Sequence, residues 1–294
     1  MPDGQPLRID NIDPPFDDTD LKGKRYLYHY TRAEVALGHI LRDERLRLSP
    51  YSDLNDPKEA KDWIMTVGAA TDGGATAGRI WCEMSERIKG RTRLLCFTSD
   101  GYGLKREPQD IDDFWEARGF ARPTMWAHYA ENHRGIALVF DRRKLLANAI
   151  AELKAKGQLH YGHVSYRMLD EADGWSAFSF NSADWESLPA YQGVLRHLEQ
   201  HRRWLFFTKH PDWASEQKCR IVGFGDFERH EFISTKSALV EIIFGDRASA
   251  ATANRCYEFG AKLGVIVSKV DWHNGRPYRM IQQHAPKMVA NGPP

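Results

Sequence analysis

Apolar and polar positions alternate most regularly between Arg25 and Glu59, RYLYHYTRAEVALGHILRDERLRLSPYSDLNDPKE. Tyr26 to Tyr30 form an aromatic run of period-two character, which predicts a strand. Thr31 with Glu34 three residues on has the form of a capping box, and Val35, Ala36, Ile40 and Leu41 recur at helical spacing. Leu46 and Leu48 alternate with Arg45 and Arg47 in a second strand. The turn formers Ser49, Pro50, Ser52, Asp53, Asn55, Asp56 and Pro57 close the unit. His29 is thereby placed near the end of one strand, and the Asn55-Asp56-Pro57 turn after another. Such positions commonly carry sites.

The rest of the chain continues in mixed rhythm. Residues 60–90 predict helix, with Trp63, Ile64, Val67, Trp81, Met84 and Ile88 on its apolar side and a break at Thr71-Asp72-Gly73-Gly74. Leu94 to Phe97 predict a strand, and 99–113 a mobile polar loop. Pro123-Thr124-Met125-Trp126 opens a short helix that Gly135 ends, and Ile136 to Phe140 is a buried strand. A helix runs from Asp141 to about Lys156, a strand lies in 157–168, and 170–186 is loop-like. Residues 187–208 are helical, and Trp213 to Val222 is a turn followed by a strand. Two strands fall within 230–244, a helix spans Ala248 to Leu263, and Val265–Val270 and Tyr278–Ile281 are the last strands. There is no internal repeat and no regular βαβ alternation. The expectation is one α+β domain over 24–285, with a mixed or antiparallel central sheet and flanking helices. A proline- and aspartate-rich arm (1–23) and a short tail (286–294) flank it.

Composition narrows the classes. At 294 residues, 42% hydrophobic and 28% charged, the chain reads as globular, and its net charge of +1 gives no support to charge-driven binding of nucleic acid or membrane. Nine Trp favour a core or pocket built on large rings. Cys82, Cys96, Cys219 and Cys256 form no CxxC pair, which argues against a zinc knuckle or a disulfide framework. No apolar run reaches membrane-span length, and the acidic, proline-rich N-terminus is unlike a signal peptide, so the expected location is the cytoplasm, away from membranes. GxGxxG after a strand, GxxxxGK[ST], HExxH and GxSxG are all absent, which removes the main support for a Rossmann dehydrogenase, a P-loop NTPase, a zincin or an α/β-hydrolase.

Four constellations carry candidate chemistry, each beside a plainer reading. His29 with Thr31 suits a strand-end ligand contact, or a packed His between Tyr28 and Tyr30. Asn55-Asp56-Pro57 with Glu59 suits a carboxylate at a cleft mouth, or ordinary turn chemistry. Trp126 and Tyr129 share a helix face, which favours core packing, with His128 beside them. In Trp213 to Arg220, Glu216, Lys218 and Arg220 fall on one face if the strand begins at Ser215, so that face is either solvated or lines a polar cleft. His160 and His163 pair without a third ligand at diagnostic spacing, so no metal site is assigned.

Taken together, these residues give the chain a resemblance to the bacterial family of domain of unknown function 2971, from about residue 25 to about 265. The motifs in order are LYHYT (Leu27–Thr31), LRLS (Leu46–Ser49), NDPxE (Asn55–Glu59), LCFT (Leu95–Thr98), MWxHYAxxHxG (Met125–Gly135), a strand ending FD at Asp141, WxxExxxR (Trp213–Arg220) and EIIFG (Glu241–Gly245). Their organisation is similar to that of the ADP-ribosyltransferase superfamily. The resemblance implies an ADP-ribosyltransferase-like fold and an NAD-consuming transferase, of a bacterial toxin or anti-phage system, acting on a protein or nucleic-acid acceptor.

On that resemblance, His29 holds the nicotinamide ribose, Ser49 or Tyr51 lies near the nicotinamide, and Glu216 bonds the ribose and stabilises an oxocarbenium-like transition state. Glu216 and His29 are thus the implied catalytic residues. Tyr30, Thr31, Asn55, Asp56, Trp126, His128 and Arg220 complete the implied NAD site. One departure stands out: related sequences read WxxExExR, and Lys218 occupies the second acidic position here. Two rivals therefore stay open. One is a non-catalytic nucleotide- or partner-binding module, and the other a metal-dependent phosphodiesterase or nuclease using Asp56, Glu59, His128 and Glu216.

Overall fold

The computed structural model describes residues 26–61, 63–68, 75–101, 115–168, 172–181 and 190–283. The arm, the Thr71–Gly74 break, all but the first residues of the 99–113 loop and the tail lie outside the described residues. The strands are β1 (Tyr26–Thr31), β2 (Arg45–Pro50), β3 (Thr66–Gly68), β4 (Thr92–Ser99), β5 (Ile136–Asp141), β6 (Gly157–His163) and β7 (Ser165–Tyr166). They continue with β8 (Ser179–Asn181), β9 (Thr208–Lys209), β10 (Lys218–Gly225), β11 (Glu231–Ser234), β12 (Leu239–Phe244), β13 (Ile266–His273) and β14 (Arg276–Gln283). The architecture is α+β, with a mostly antiparallel open sheet and several helices. No helix among the described residues is long and apolar enough to cross a membrane.

The chain divides into two compact units. The first draws its described residues from 47–96 and 152–232. In it β2 pairs antiparallel with β4 (Ser49↔Leu94), and β10 pairs antiparallel with β6 from Cys219↔His163 to Gly225↔Gly157. The two glycines at the end of that pair allow a close backbone approach, since a Cβ on either would run into the opposing main chain. The helices Ala75–Arg91 and Ala190–Phe206 contribute to a core of Tyr51, Trp63, Met84, Ile88, Phe206 and Phe224.

Two stretches of this unit depart from the local pattern. The predicted helix over 60–90 begins only at Ala75, because Thr66–Gly68 is β3, and Ile64 is 77% exposed. Within the expected loop of 170–186 lie a short helix, Ala172–Ser176, and β8. β3 and β8 pair with each other in parallel, an association of segments about a hundred residues apart that no local periodicity encodes.

The second unit draws on 26–46, 97–151 and 233–283. β1 pairs with β5 along its whole length, from Tyr26↔Asp141 to Thr31↔Ile136. Thr31 is therefore a buried strand residue rather than a helix cap. The cap position falls on Arg32, which makes no side-chain cap bond, so the expected capping box is not formed. β5 pairs with β12, and β12 runs parallel to β13 across the helix Ala250–Leu263. Ser249 caps that helix through Oγ, which accepts from Thr252 N at 3.1 Å, and Gly264 ends it at φ 68°. β13 and β14 form a hairpin through Asn274 and Gly275, both at positive φ, as an Asn-Gly turn requires. Tyr28, Tyr30, Phe120, Trp126, Val139 and Ile243 lie in the core of this unit.

Candidate functional site

In the first unit, the turn after β2 becomes a site through local capping. Asp56 Oδ1 accepts from Lys58 N at 3.0 Å and so caps the short helix Pro57–Ala60, with Pro57 at its first position. That geometry buries the carboxylates of Asp56 and Glu59. From the other side of the same unit come Lys209 in β9, Glu216 at the end of the 3-10 turn Pro211–Glu216, and Lys218 and Arg220 in β10. Gln217, at φ 45°, turns the chain from the 3-10 turn into the strand. Lys218 and Arg220 share a face of β10, as the alternation predicts, while Glu216 precedes the strand.

All six charged residues are between 1% and 3% exposed, so the face is not solvated. Their charges alternate. Lys218 Nζ donates to Glu216 Oε1 at 3.0 Å. Lys209 Nζ lies 3.5 Å from Glu216 Oε2, 3.5 Å from Asp56 Oδ2 and 3.6 Å from Glu59 Oε2. Arg220 Nη2 lies 2.5 Å from Glu59 Oε1, and its Nη1 donates to Phe206 O at 2.7 Å. Three carboxylates thus face three cations, the balance that buried charge requires. Burial pushes the Glu59 carboxyl up, but Arg220 and Lys209 overcome that and hold it below its ordinary value. Burial also works against the Arg220 charge, and Glu59 more than offsets it, so the guanidinium holds its proton more tightly than usual.

A cavity of about 530 Å³ opens beside the cluster. Lys58, Arg167, Met168, Lys209, His210 and Trp213 are among its lining residues. The Lys209 ammonium lies 4.8 Å from the centre of the Trp213 ring, a cation–π contact. Lys58 Nζ donates to Trp204 O at 2.5 Å and to Thr208 O at 2.6 Å. Burial lowers its pKa to about 8, with Glu59 the largest opposing influence.

The predicted site residues divide between the two units. In the first, Asp56, Glu216 and Arg220 come together through Lys209 and Glu59. Tyr51 is fully buried, with its hydroxyl donating to Leu205 O at 2.6 Å; burial, then Glu59, raise its pKa well above the usual phenol value. Ser49 is half-buried in β2, and Asn55 is exposed in the turn. In the second unit, half-buried His29 sets its ring edge-on to Phe97, with centres 5.8 Å apart. The Tyr30 hydroxyl donates to Gly119 O at 2.8 Å, and its ring meets Trp126 at 5.1 Å. Trp126 Nε1 donates to Phe120 O at 2.8 Å, which fits the packing role favoured by its helix face. His128 is exposed at the end of the helix Pro123–His128.

His160 and His163, three apart in β6, face opposite sides of the strand. Among the described residues no group of three or more His, Cys, Asp or Glu is placed to hold a metal ion. Lys58, Arg167, Lys209 and His210 were not singled out in the sequence. Lys209 follows the apolar Trp204–Phe207 segment after a single Thr208, and its carboxylate partners Asp56 and Glu59 lie some 150 positions earlier. An ordinary surface lysine at a helix end has the same local signature.

These features define an α+β protein whose first unit carries a buried, charge-balanced cluster beside a small-molecule-sized cleft. Residues 125–221 match the family described as "Protein of unknown function (DUF2971)", and over that segment the chain is similar to it. The matched segment takes in the helix Pro123–His128 from Met125 onward, Lys209, Glu216 and Arg220. No curated protein and no solved structure matches the chain.

Proposed function

We propose that the cleft of the first unit binds an anionic, ring-bearing small molecule of the nucleotide class, with NAD the member that the sequence resemblance implies. The observation that carries this reading is the placement of Arg167, Lys209 and His210 with the Trp213 indole around one cavity of about 530 Å³. Arg and Lys side chains bind phosphate, a His ring N–H can donate to it, an indole offers a face for a base, and the volume falls in the range of small-molecule sites. Asp56, Glu59 and Glu216 ring Lys209, so its ammonium is in place before a ligand arrives.

An ADP-ribosyltransferase-like use of NAD is the second reading, favoured by Glu216, whose carboxylate contacts the cleft-lining Lys209. Positive charge builds at the anomeric carbon as nicotinamide departs, and a fixed carboxylate stabilises it. Lys218 bears directly on that role, since its ammonium bonds the same carboxylate at 3.0 Å.

The test is calorimetric titration with NAD, ADP-ribose, ATP and uncharged adenosine, together with an assay of nicotinamide release. Saturable binding of the phosphorylated ligands is expected. Trp213→Ala and Arg167→Ala should each weaken it about tenfold, a loss of about 1.4 kcal/mol. Absence of binding at millimolar ligand overturns the proposal. Nicotinamide release that a folded Glu216→Gln variant loses supports the transferase, whereas binding without release supports a nucleotide-binding module.

A further inference from the structure

Lys58 differs from Lys209, the other lysine of the cleft, in how its nitrogen is held. It donates to Trp204 O at 2.5 Å and Thr208 O at 2.6 Å, both main-chain carbonyls, which can only accept. A neutral amine has two N–H bonds. With one donated to each carbonyl, its lone pair is fixed in a remaining tetrahedral direction. The residue also lines the cleft, together with Arg167, Lys209, His210 and the carboxylates of Asp56 and Asp212. Lys209 is ringed by carboxylates instead. The two lysines therefore present different chemistry to one cavity.

We propose that the Lys58 amine is a nucleophile that condenses with the aldehyde of a reducing sugar phosphate held in the cleft; this rests on the anion-binding reading of that cleft. The nitrogen lone pair attacks the carbonyl carbon of the open-chain sugar, and the carbonyl oxygen takes up a proton to give a carbinolamine. One nitrogen proton has by then moved to that oxygen, and the remaining one leaves with the hydroxyl as water while the C=N bond forms. The net change is amine plus aldehyde to imine plus water, with no oxidant or reductant. Burial supports this by lowering the Lys58 pKa to about 8. The charged groups acting on the amine are the Glu59 and Asp56 carboxylates, which oppose that lowering, and the Arg220 and Lys209 cations, which add to it.

The experiment incubates the full chain with ADP-ribose at about pH 7.5 and reduces any imine with cyanoborohydride. The modified lysine is then located by peptide mass. An amine of pKa about 8 is roughly a quarter neutral at that pH, against about one part in a thousand for an ordinary lysine. Lys58 should therefore be labelled at least about tenfold faster than exposed Lys236, even after allowing for the weaker nucleophilicity of a less basic amine. The rate should climb with pH to a plateau above about 8. A folded Lys58→Arg variant should lose the label. Labelling of Lys58 no faster than Lys236 overturns the inference, and if ADP still binds by calorimetry the cleft reading survives that failure. Rapid labelling of Lys58 that excess ADP does not suppress upholds the amine chemistry and sinks the nucleotide reading of the cleft.

Discussion

Lys209 holds its ammonium within 3.6 Å of three carboxylates that would otherwise repel one another in a buried site. Replacing it with Met keeps most of the volume and removes the charge. The Lys209→Met variant should lose about 3–5 kcal/mol, the usual cost of leaving buried charge unpaired, read as a shift in the urea midpoint. Glu59 makes the cluster sensitive to acid. Its folded-state pKa is depressed, so its contribution is complete at neutral pH and is lost as pH falls below the ordinary carboxylate range, near pH 4. His197 acts in a higher window. Burial lowers its pKa from 6.5 to about 4, so the unfolded chain binds the extra proton between those values and stability falls as pH drops through them. The loss has an upper bound of about 3 kcal/mol. His197→Phe should flatten the pH dependence of the urea midpoint between about 6.5 and 4 and leave the acid limb below it.

At the scale of elements, the glycines separate close approach from mere flexibility. Gly157 and Gly225 face each other across β6 and β10, where a side chain would collide with main chain that cannot step aside. Gly225→Ala should cost about 1–3 kcal/mol in thermal or urea unfolding. Gly90, in the last turn of the helix Ala75–Arg91, has open space around a would-be Cβ. Gly90→Ala should raise stability by about 0.5–1 kcal/mol through helix propensity alone. The elements themselves were largely legible in the sequence. β1, β2, β4, β5 and β10 to β14 fall where alternating or apolar runs predict strands. β3 and β8 were not legible, because each is three residues long and exists only by pairing with the other. Thr31 reads as a cap in the sequence because a cap motif and a strand end look alike until β5 supplies the partner Ile136.

For the molecule as a whole, the division into two units makes the cleft proposal a regional one. Saturating ADP-ribose should slow amide hydrogen exchange in the segments around Asp56–Lys58 and Thr208–Trp213, which line the cleft, and leave β12 to β14 of the second unit unchanged. Protection spread evenly over both units would place the ligand elsewhere. The nearly balanced composition, 41 Lys and Arg against 40 Asp and Glu, is repeated in miniature by the six charges of the cluster.

By itself the sequence determined the α+β class, most element boundaries and the importance of the segment Trp213–Arg220. These depend on local period, propensity and turn chemistry, which neighbouring residues carry. Only the tertiary structure decided that Asp56, Glu59, Lys209, Glu216, Lys218 and Arg220 are one buried network, and that His29, Tyr30 and Trp126 belong to the packing of the other unit. A charged residue has the same local signature whether it faces water or a counter-charge brought from 150 positions away. The partner, and with it the chemistry, is set by topology.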